Sequence, residues 1–201
     1  MNQLIYLDNA ATTALHPEAF QRMQPYFTEL YGNPSSIYSF SAKAKKAIDE
    51  ARSEVATFIG AKENEIYFTG GGSESDNWAL KAAAFAHRNK GNHIITSKIE
   101  HHAVLHTCEY LEKLGFEISY IDVDEEGVIK LEELKAAIRP TTILISVMFA
   151  NNEIGTIQPI REIGEIAKES ILLLFDIISG KKVHEHKVFD AELLIRESTS
   201  L

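Results

Sequence analysis

The chain has 201 residues, enough at about 150 residues per domain for one domain, or for one and part of another. Hydrophobic residues at 45% and charged residues at 24%, with 11 Gly and 5 Pro, exclude a wholly disordered chain and a collagen-like repeat, and a single Cys excludes a disulfide scaffold. With 20 basic against 29 acidic residues the net charge of -9 sets the mean field against nucleic acid.

No apolar run approaches the roughly 18 residues of a membrane span. The start, MNQLIYLDNAATT, has no basic segment leading into an apolar one, so no secretory signal is visible. The expectation is a cytoplasmic protein with neither a membrane nor a nucleic-acid partner. The one dense basic run in the first half, KAKK at Lys43 to Lys46, is followed by Asp49, Glu50 and Glu54 at helical spacing. It reads as a solvated helix face.

In chain order, Pro17 opens the amphipathic stretch PEAFQRMQPYFTELYG, a predicted helix with a kink or break at Pro25. GNPSS, Gly32 to Ser36, is a loop. Ser41 to Ile59 carries Ala44, Ile48, Ala51, Val55 and Phe58 at steps of three and four and stops at Gly60, which predicts a helix. EIYFT, Glu65 to Thr69, is expected as a short strand. A glycine turn follows, then a helix from about Ser75 to Arg88. HIITS, His93 to Ser97, is a strand, and HAVLHTCEYLEKLG a helix closed by Gly115. EISYIDV reads as a strand, DEEG as a turn, LEELKAAI as a short helix and TTILISVMF as a buried strand. PIREIGEIAKE is a further helix and ILLLFDI a possible strand. From about Ser170 the tail has weak periodicity. Strands alternating with helices of about ten to fifteen residues predict an α/β sandwich with a largely parallel sheet.

Three strand ends carry candidate chemistry. In FTGGGSESDN, Phe68 to Asn77, glycines let the backbone approach a ligand, and free N–H groups at a helix start favour a phosphate. Ser73 adds a hydroxyl, while Glu74 and Asp76 oppose a dianion unless they point elsewhere. The segment is neither a P-loop nor a GxGxxG turn, and a purely structural turn is the alternative. In EHHAV, Glu100 to Val104, a His after a strand can stack on a planar ring or move protons, or merely cap the helix. His102 and His106 stand four apart, as two metal ligands could, but no third ligand has the spacing, so no metal is expected. In FANNEIG, Phe149 to Gly155, two Asn offer amide donors to an oxyanion or hydroxyl, or form an ordinary turn. Cys108 falls at apolar spacing in its helix and reads as a buried thiol.

Taken together, YLDNAATT (Tyr6 to Thr13), GNPSS, FTGGGSESDN, EHHAV and NNEIGTIQPI resemble the cysteine desulfurases, of the class V aminotransferase group of pyridoxal-phosphate (PLP) enzymes. The motifs stand in that family's order and at about its spacing, over roughly Leu4 to Glu169. Tyr38 departs from the pattern, since the family usually has His two residues after GNPSS. The resemblance implies a fold-type I large domain, a PLP cofactor, a homodimer, and conversion of L-cysteine to L-alanine. The sulfur would pass to an iron–sulfur scaffold or a tRNA-thiolation enzyme. It also implies that Gly72 and Ser73 contact the cofactor phosphate, that His101 stacks on the ring and assists proton transfer, and that Asn152 hydrogen-bonds the phenolic oxygen.

PLP chemistry further requires a Lys for the Schiff base, an acid at the pyridine nitrogen and a Cys nucleophile. In the family these lie beyond NNEIG, in segments reading roughly HTDAVQ and SGHK and in a later loop. Here SILLLFDIISG replaces the expected strand. Asp176 lies near the acid's position without matching surroundings, and ISGKK, Ile178 to Lys182, comes too early to be the SGHK segment. The expected organisation is an N-terminal arm over 1–16, the N-terminal part of the PLP-binding large domain over 17–169, and a divergent tail over 170–201. A truncation or frame change after about Glu169 accounts for the abrupt loss of match, with the small C-terminal domain missing. The expected function is therefore desulfurase-like, with no turnover by the chain as it stands. The alternatives are a non-catalytic fragment, or another class V enzyme such as a selenocysteine lyase.

Overall fold

The computed structural model describes residues 5–178. They fall into two units, one ending at Phe68 and the other beginning at Thr69.

In the first unit, α1 (Pro17–Met23) and α2 (Pro25–Thr28) each start on a proline, which supplies the helical φ where no N–H partner is needed. Pro25 therefore ends one helix and opens the next, as expected. Neither helix contains a buried residue. α3 (Ser39–Phe58) buries Ser41, Ala44 and Ala56. Its basic run is solvated, with i,i+4 ion pairs Lys45–Asp49 at 2.9 Å and Lys46–Glu50 at 3.5 Å. The GNPSS loop is pinned by Asn33, whose Oδ1 accepts from the Ser35 N–H at 2.9 Å.

Glu65 to Thr69 is not the expected strand. A 3-10 turn (Glu63–Glu65) precedes it and Ile66 is extended, but no strand among the described residues pairs with this segment. Its carbonyl at Ile66 takes the Arg52 guanidinium instead.

The second unit is the α/β sandwich. Three parallel strands, β1 (His93–Ser97), β2 (Glu117–Ile121) and β3 (Thr142–Ser146), stand in the order β2-β1-β3. β1 is central and buried at every residue, as a strand covered on both faces must be. Against β1, His93 faces Thr142 and Ile94 faces Leu144, so Ile143 is the extra residue of a bulge. Gly91 enters β1 where a Cβ would lie 2.2 Å from the Thr141 carbonyl oxygen, a contact only glycine allows.

One face of the sheet carries α4 (Gly72–His87) and α5 (His102–Lys113), packing Leu80, Ala84, Val104, Cys108 and Leu111 onto Ile94, Ile118 and Leu144. The other face carries α6 (Leu131–Ala137) and α7 (Ile160–Ile178), packing Leu134 and Ile163 onto Ile95, Ile121 and Ile145. ILLLFDI is therefore not a strand. It continues α7, since a leucine-rich run without Gly or Pro can extend a helix that already leads into it. Asp176 belongs to that helix. Beyond Ile178, the ISGKK segment and the remainder of the tail lie outside the described residues, as do Met1 to Leu4. Among the described residues no helix is long and apolar enough to cross a membrane.

Candidate active site at the carboxyl ends of β1 and β3

The strand order fixes where a ligand can sit. From the end of β1 the chain runs to α5 on one face, and from the end of β3 it runs to α7 on the other. Neighbouring strands whose exits diverge leave a crevice between their carboxyl ends. His101 follows β1 and the Asn151–Asn152 pair follows β3, so both expected loops leave the carboxyl ends of neighbouring strands.

The third loop is the glycine turn at the start of α4. The first-turn N–H groups of a helix have no intrahelical acceptors, and the dipole there favours an anion. A Cβ built on Gly71 or Gly72 would meet nothing within 4 Å, so the space above the turn is open. Thr69 and Ser75 lace the turn from beneath, hydroxyl to hydroxyl at 2.6 Å. Ser73 is exposed and its hydroxyl has no hydrogen bond among the described residues. The carboxylate of Glu74 accepts from the Gly70 N–H, so its charge stays at the turn.

His101 is the N-cap of α5: its Nδ1 accepts from the Ala103 N–H at 3.1 Å. The capping alternative is thus realised, and it fixes the ring. Nδ1 is the acceptor, so in the neutral imidazole the proton sits on Nε2. The ring is exposed and lies tilted to the His102 ring, with centroids 6.3 Å apart. His102 and His106 stack on each other, with ring centroids 5.3 Å apart. Among the described residues no third His, Cys, Asp or Glu joins them to make a metal site.

The two asparagines of FANNEIG divide the work. Asn151 is half-buried and fully engaged. Its Nδ2 donates to the Ile99 carbonyl at 3.0 Å, and its Oδ1 accepts from the N–H groups of Glu153 and Ile154 at 2.9 and 3.0 Å. Asn152 is exposed, and its amide has no partner among the described residues. Gly155 closes the turn at φ 77°, a left-handed conformation that suits glycine.

Two side-chain amides tie the three loops together. Asn77, on α4, donates to the Ser73 carbonyl at 2.9 Å and to the Ala103 carbonyl at 3.5 Å, joining the glycine turn to the start of α5. Asn151 joins the loop after β3 to Ile99, two residues before His101. Sequence reasoning passed over Asn77, and it singled out Asn152 while giving Asn151 no role of its own. It also passed over Glu100. That carboxyl is buried, and burial raises its pKa, opposed by hydrogen bonds from the Met148 N–H at 2.7 Å and the Ser97 hydroxyl at 2.8 Å. The signal available was an acidic residue set between a strand end and an apolar helix run.

Cys108 is fully buried in α5, and burial pushes its thiol up to about 12. It is a packing residue and no nucleophile. YLDNAATT and GNPSS belong to the first unit.

The open glycine turn, the Ser73 hydroxyl, the exposed imidazole and the unpartnered amide are groups of the kind that suit a phosphorylated, ring-bearing cofactor with an oxygen substituent.

Cysteine desulfurase IscS of Clostridium botulinum (strain Kyoto / Type A2) is 60% identical over 169 residues, 84% of this chain and 43% of that protein. A solved structure described as "NIFS-LIKE PROTEIN" superposes with a TM-score of 0.80 at 42% identity, covering 83% of this chain and 46% of that one. A second, "SspA in complex with cysteine", gives 0.77 at 42% identity, covering 82% and 47%. The fold is accordingly part of a fold-type I large domain, and the chain spans a little under half the length of these relatives. The model for "Aminotransferase class-V" matches residues 5–191, and the chain belongs to that family.

Proposed function

We propose that this chain carries the cofactor-facing part of a PLP-dependent cysteine desulfurase. The observation that supports it best is the pair of amides, Asn77 and Asn151, that join the three motif-bearing loops at one end of the sheet. PLP, when bound, supplies an electron sink for carbanion chemistry at the substrate's α-carbon. The N–H groups of Gly72 and Ser73 and the Ser73 hydroxyl would donate to its phosphate. The imidazole of His101 would stack on the ring, and Nε2, left free by the cap at Nδ1, would carry the proton to and from the substrate. The Asn152 amide would donate to the phenolic oxygen. L-cysteine is the substrate, and the sulfur passes to an acceptor protein of iron–sulfur assembly or tRNA thiolation. The setting is the cytoplasm, with an arm over 1–16, large-domain sequence over 17–169 and a divergent tail after that.

A second reading, in which the chain acts by pairing with another subunit, is favoured by its exposed apolar residues. Phe27 is 70% and Ile37 98% exposed in the first unit, where α1 and α2 bury nothing. A homodimer of the family kind would cover such a surface.

The test is sulfide release from L-cysteine with PLP and dithiothreitol, against a control of free PLP. The family's matched Lys and Cys segments are not recognisable here, so the chain alone is expected to stay at the control rate. Sulfide well above the control would overturn that part of the proposal. Failure of the chain to bind PLP at all would overturn the cofactor reading.

A further inference from the structure

Glu100 is a charged residue only 7% exposed, set between the end of β1 and the cap of α5. Burying a carboxylate is costly unless hydrogen bonds compensate for the lost hydration. Both of its bonds go to one oxygen, and they come from different strands. The Ser97 hydroxyl, on the last residue of β1, donates to Oε1 at 2.8 Å. The Met148 N–H, two residues past the end of β3, donates to the same atom at 2.7 Å. Met148 lies beyond the β-ladder, so an apolar residue at position 100 would leave its N–H without that partner. The carboxylate thus bridges the crevice between β1 and β3 from below. The residue after it is His101, and Asn151 and Asn152 follow Met148 by three and four residues.

We infer that Glu100 is a positioning residue: its carboxylate clamps the ends of β1 and β3 together and so sets the separation of His101 from Asn152. The clamp itself stands on the geometry alone. Its consequence for the cofactor rests on the proposed PLP site.

The test uses the full 201-residue chain and two kinds of readout. The first is independent of any ligand: solvent exchange of the Met148 N–H and the NMR signals of the His101 ring. The second is calorimetric affinity for 4-deoxypyridoxine 5'-phosphate, which has the ring and phosphate but no aldehyde to react with surface lysines. Glu100→Ala is expected to speed Met148 exchange at least tenfold, move the His101 ring signals and weaken the analogue about tenfold, as loss of roughly 1.4 kcal/mol of positioning would do. Glu100→Gln keeps an oxygen at the Oε1 position and is expected to bring all three back to within about threefold of the parent, as one retained hydrogen-bond acceptor allows. If Glu100→Ala fails to fold, Glu100→Asp keeps the charge but is one methylene too short to reach both donors, and it is expected to show the same faster exchange. Unchanged Met148 exchange and an unmoved His101 ring in a folded variant would overturn the clamp. Altered exchange and ring signals with no change in analogue affinity would overturn its role toward the cofactor. A parent chain that does not bind the analogue would overturn the PLP reading while leaving the clamp to be decided by the exchange data.

Discussion

Asn151 and Asn152 are adjacent and chemically identical, yet the structure predicts opposite phenotypes for them. Asn151→Ala removes the donor to the Ile99 carbonyl and the acceptor of the Glu153 and Ile154 N–H groups. A typical hydrogen bond contributes about 1 kcal/mol net, and a buried partner left unsatisfied costs about 1–3 kcal/mol. The Glu153 and Ile154 donors are exposed and can rehydrate, so they count for less. The Ile99 carbonyl is in a part-buried bond and counts more fully. The expected loss for Asn151→Ala is therefore about 2–3 kcal/mol. Asn152 is exposed and unpartnered among the described residues, so Asn152→Ala is expected to stay within about 0.5 kcal/mol of the parent. Urea unfolding followed by circular dichroism measures both. Affinity for the aldehyde-free cofactor analogue should then fall in Asn152→Ala even though its stability does not. A stability loss in Asn152→Ala equal to or larger than that in Asn151→Ala would refute this division of roles.

Two further outcomes follow from burial. Cys108 is 0% exposed with its thiol pushed up to about 12, so iodoacetamide at pH 8 should leave it unmodified in the native chain and modify it fully in urea. Rapid native labelling would contradict the packing of α5. His93 is buried at the start of β1, with Nδ1 at 2.7 Å from the Thr142 hydroxyl and Nε2 at 2.9 Å from the Ser119 hydroxyl, and it is faced by Arg139 and Glu117. Burial, and then Arg139, lower its pKa below 6.5, with Glu117 opposing. The unfolded chain therefore binds the proton first. This contribution to stability is whole above about pH 6.5 and declines as the pH falls from there through the lower folded value. The loss of urea stability between pH 7.5 and 5.5 should be smaller in His93→Gln than in the parent. Equal losses would refute the assignment, since Glu100, whose raised pKa works in the opposite sense, is common to both.

Elements defined by their own residues were legible in the sequence, and elements defined by a partner were not. The three-and-four spacing of α3 and the glycine stops after α3 and α5 are local signals, and those helices lie where the pattern puts them. Glu65 to Thr69 has strand composition, but a strand is a relation between two segments, and this one pairs with none of the described strands. ILLLFDI has no period to distinguish a strand from a helix, and the helix already running into it decides the outcome.

The candidate site divides in the same way. Ser73, His101 and Asn152 stand at the tips of recognisable motifs. The residues that gather those tips, Asn77, Glu100 and Asn151, act on backbone groups that are remote in sequence. Asn151 reaches a carbonyl 52 positions away and Glu100 an N–H 48 positions away. Without the fold nothing marks Asn77 or Asn151, and Glu100 shows only as an acidic residue between a strand end and an apolar helix run.

The account rests on three loops meeting at one phosphorylated ring, and an NMR titration of the labelled chain with 4-deoxypyridoxine 5'-phosphate tests this most directly. Signals of Gly72, Ser73, His101 and the Asn152 side chain are expected to shift together with one half-saturation point, while Lys135 on α6 stays still. Separate half-saturation points for the three loops, or shifts confined to one of them, would contradict a shared site.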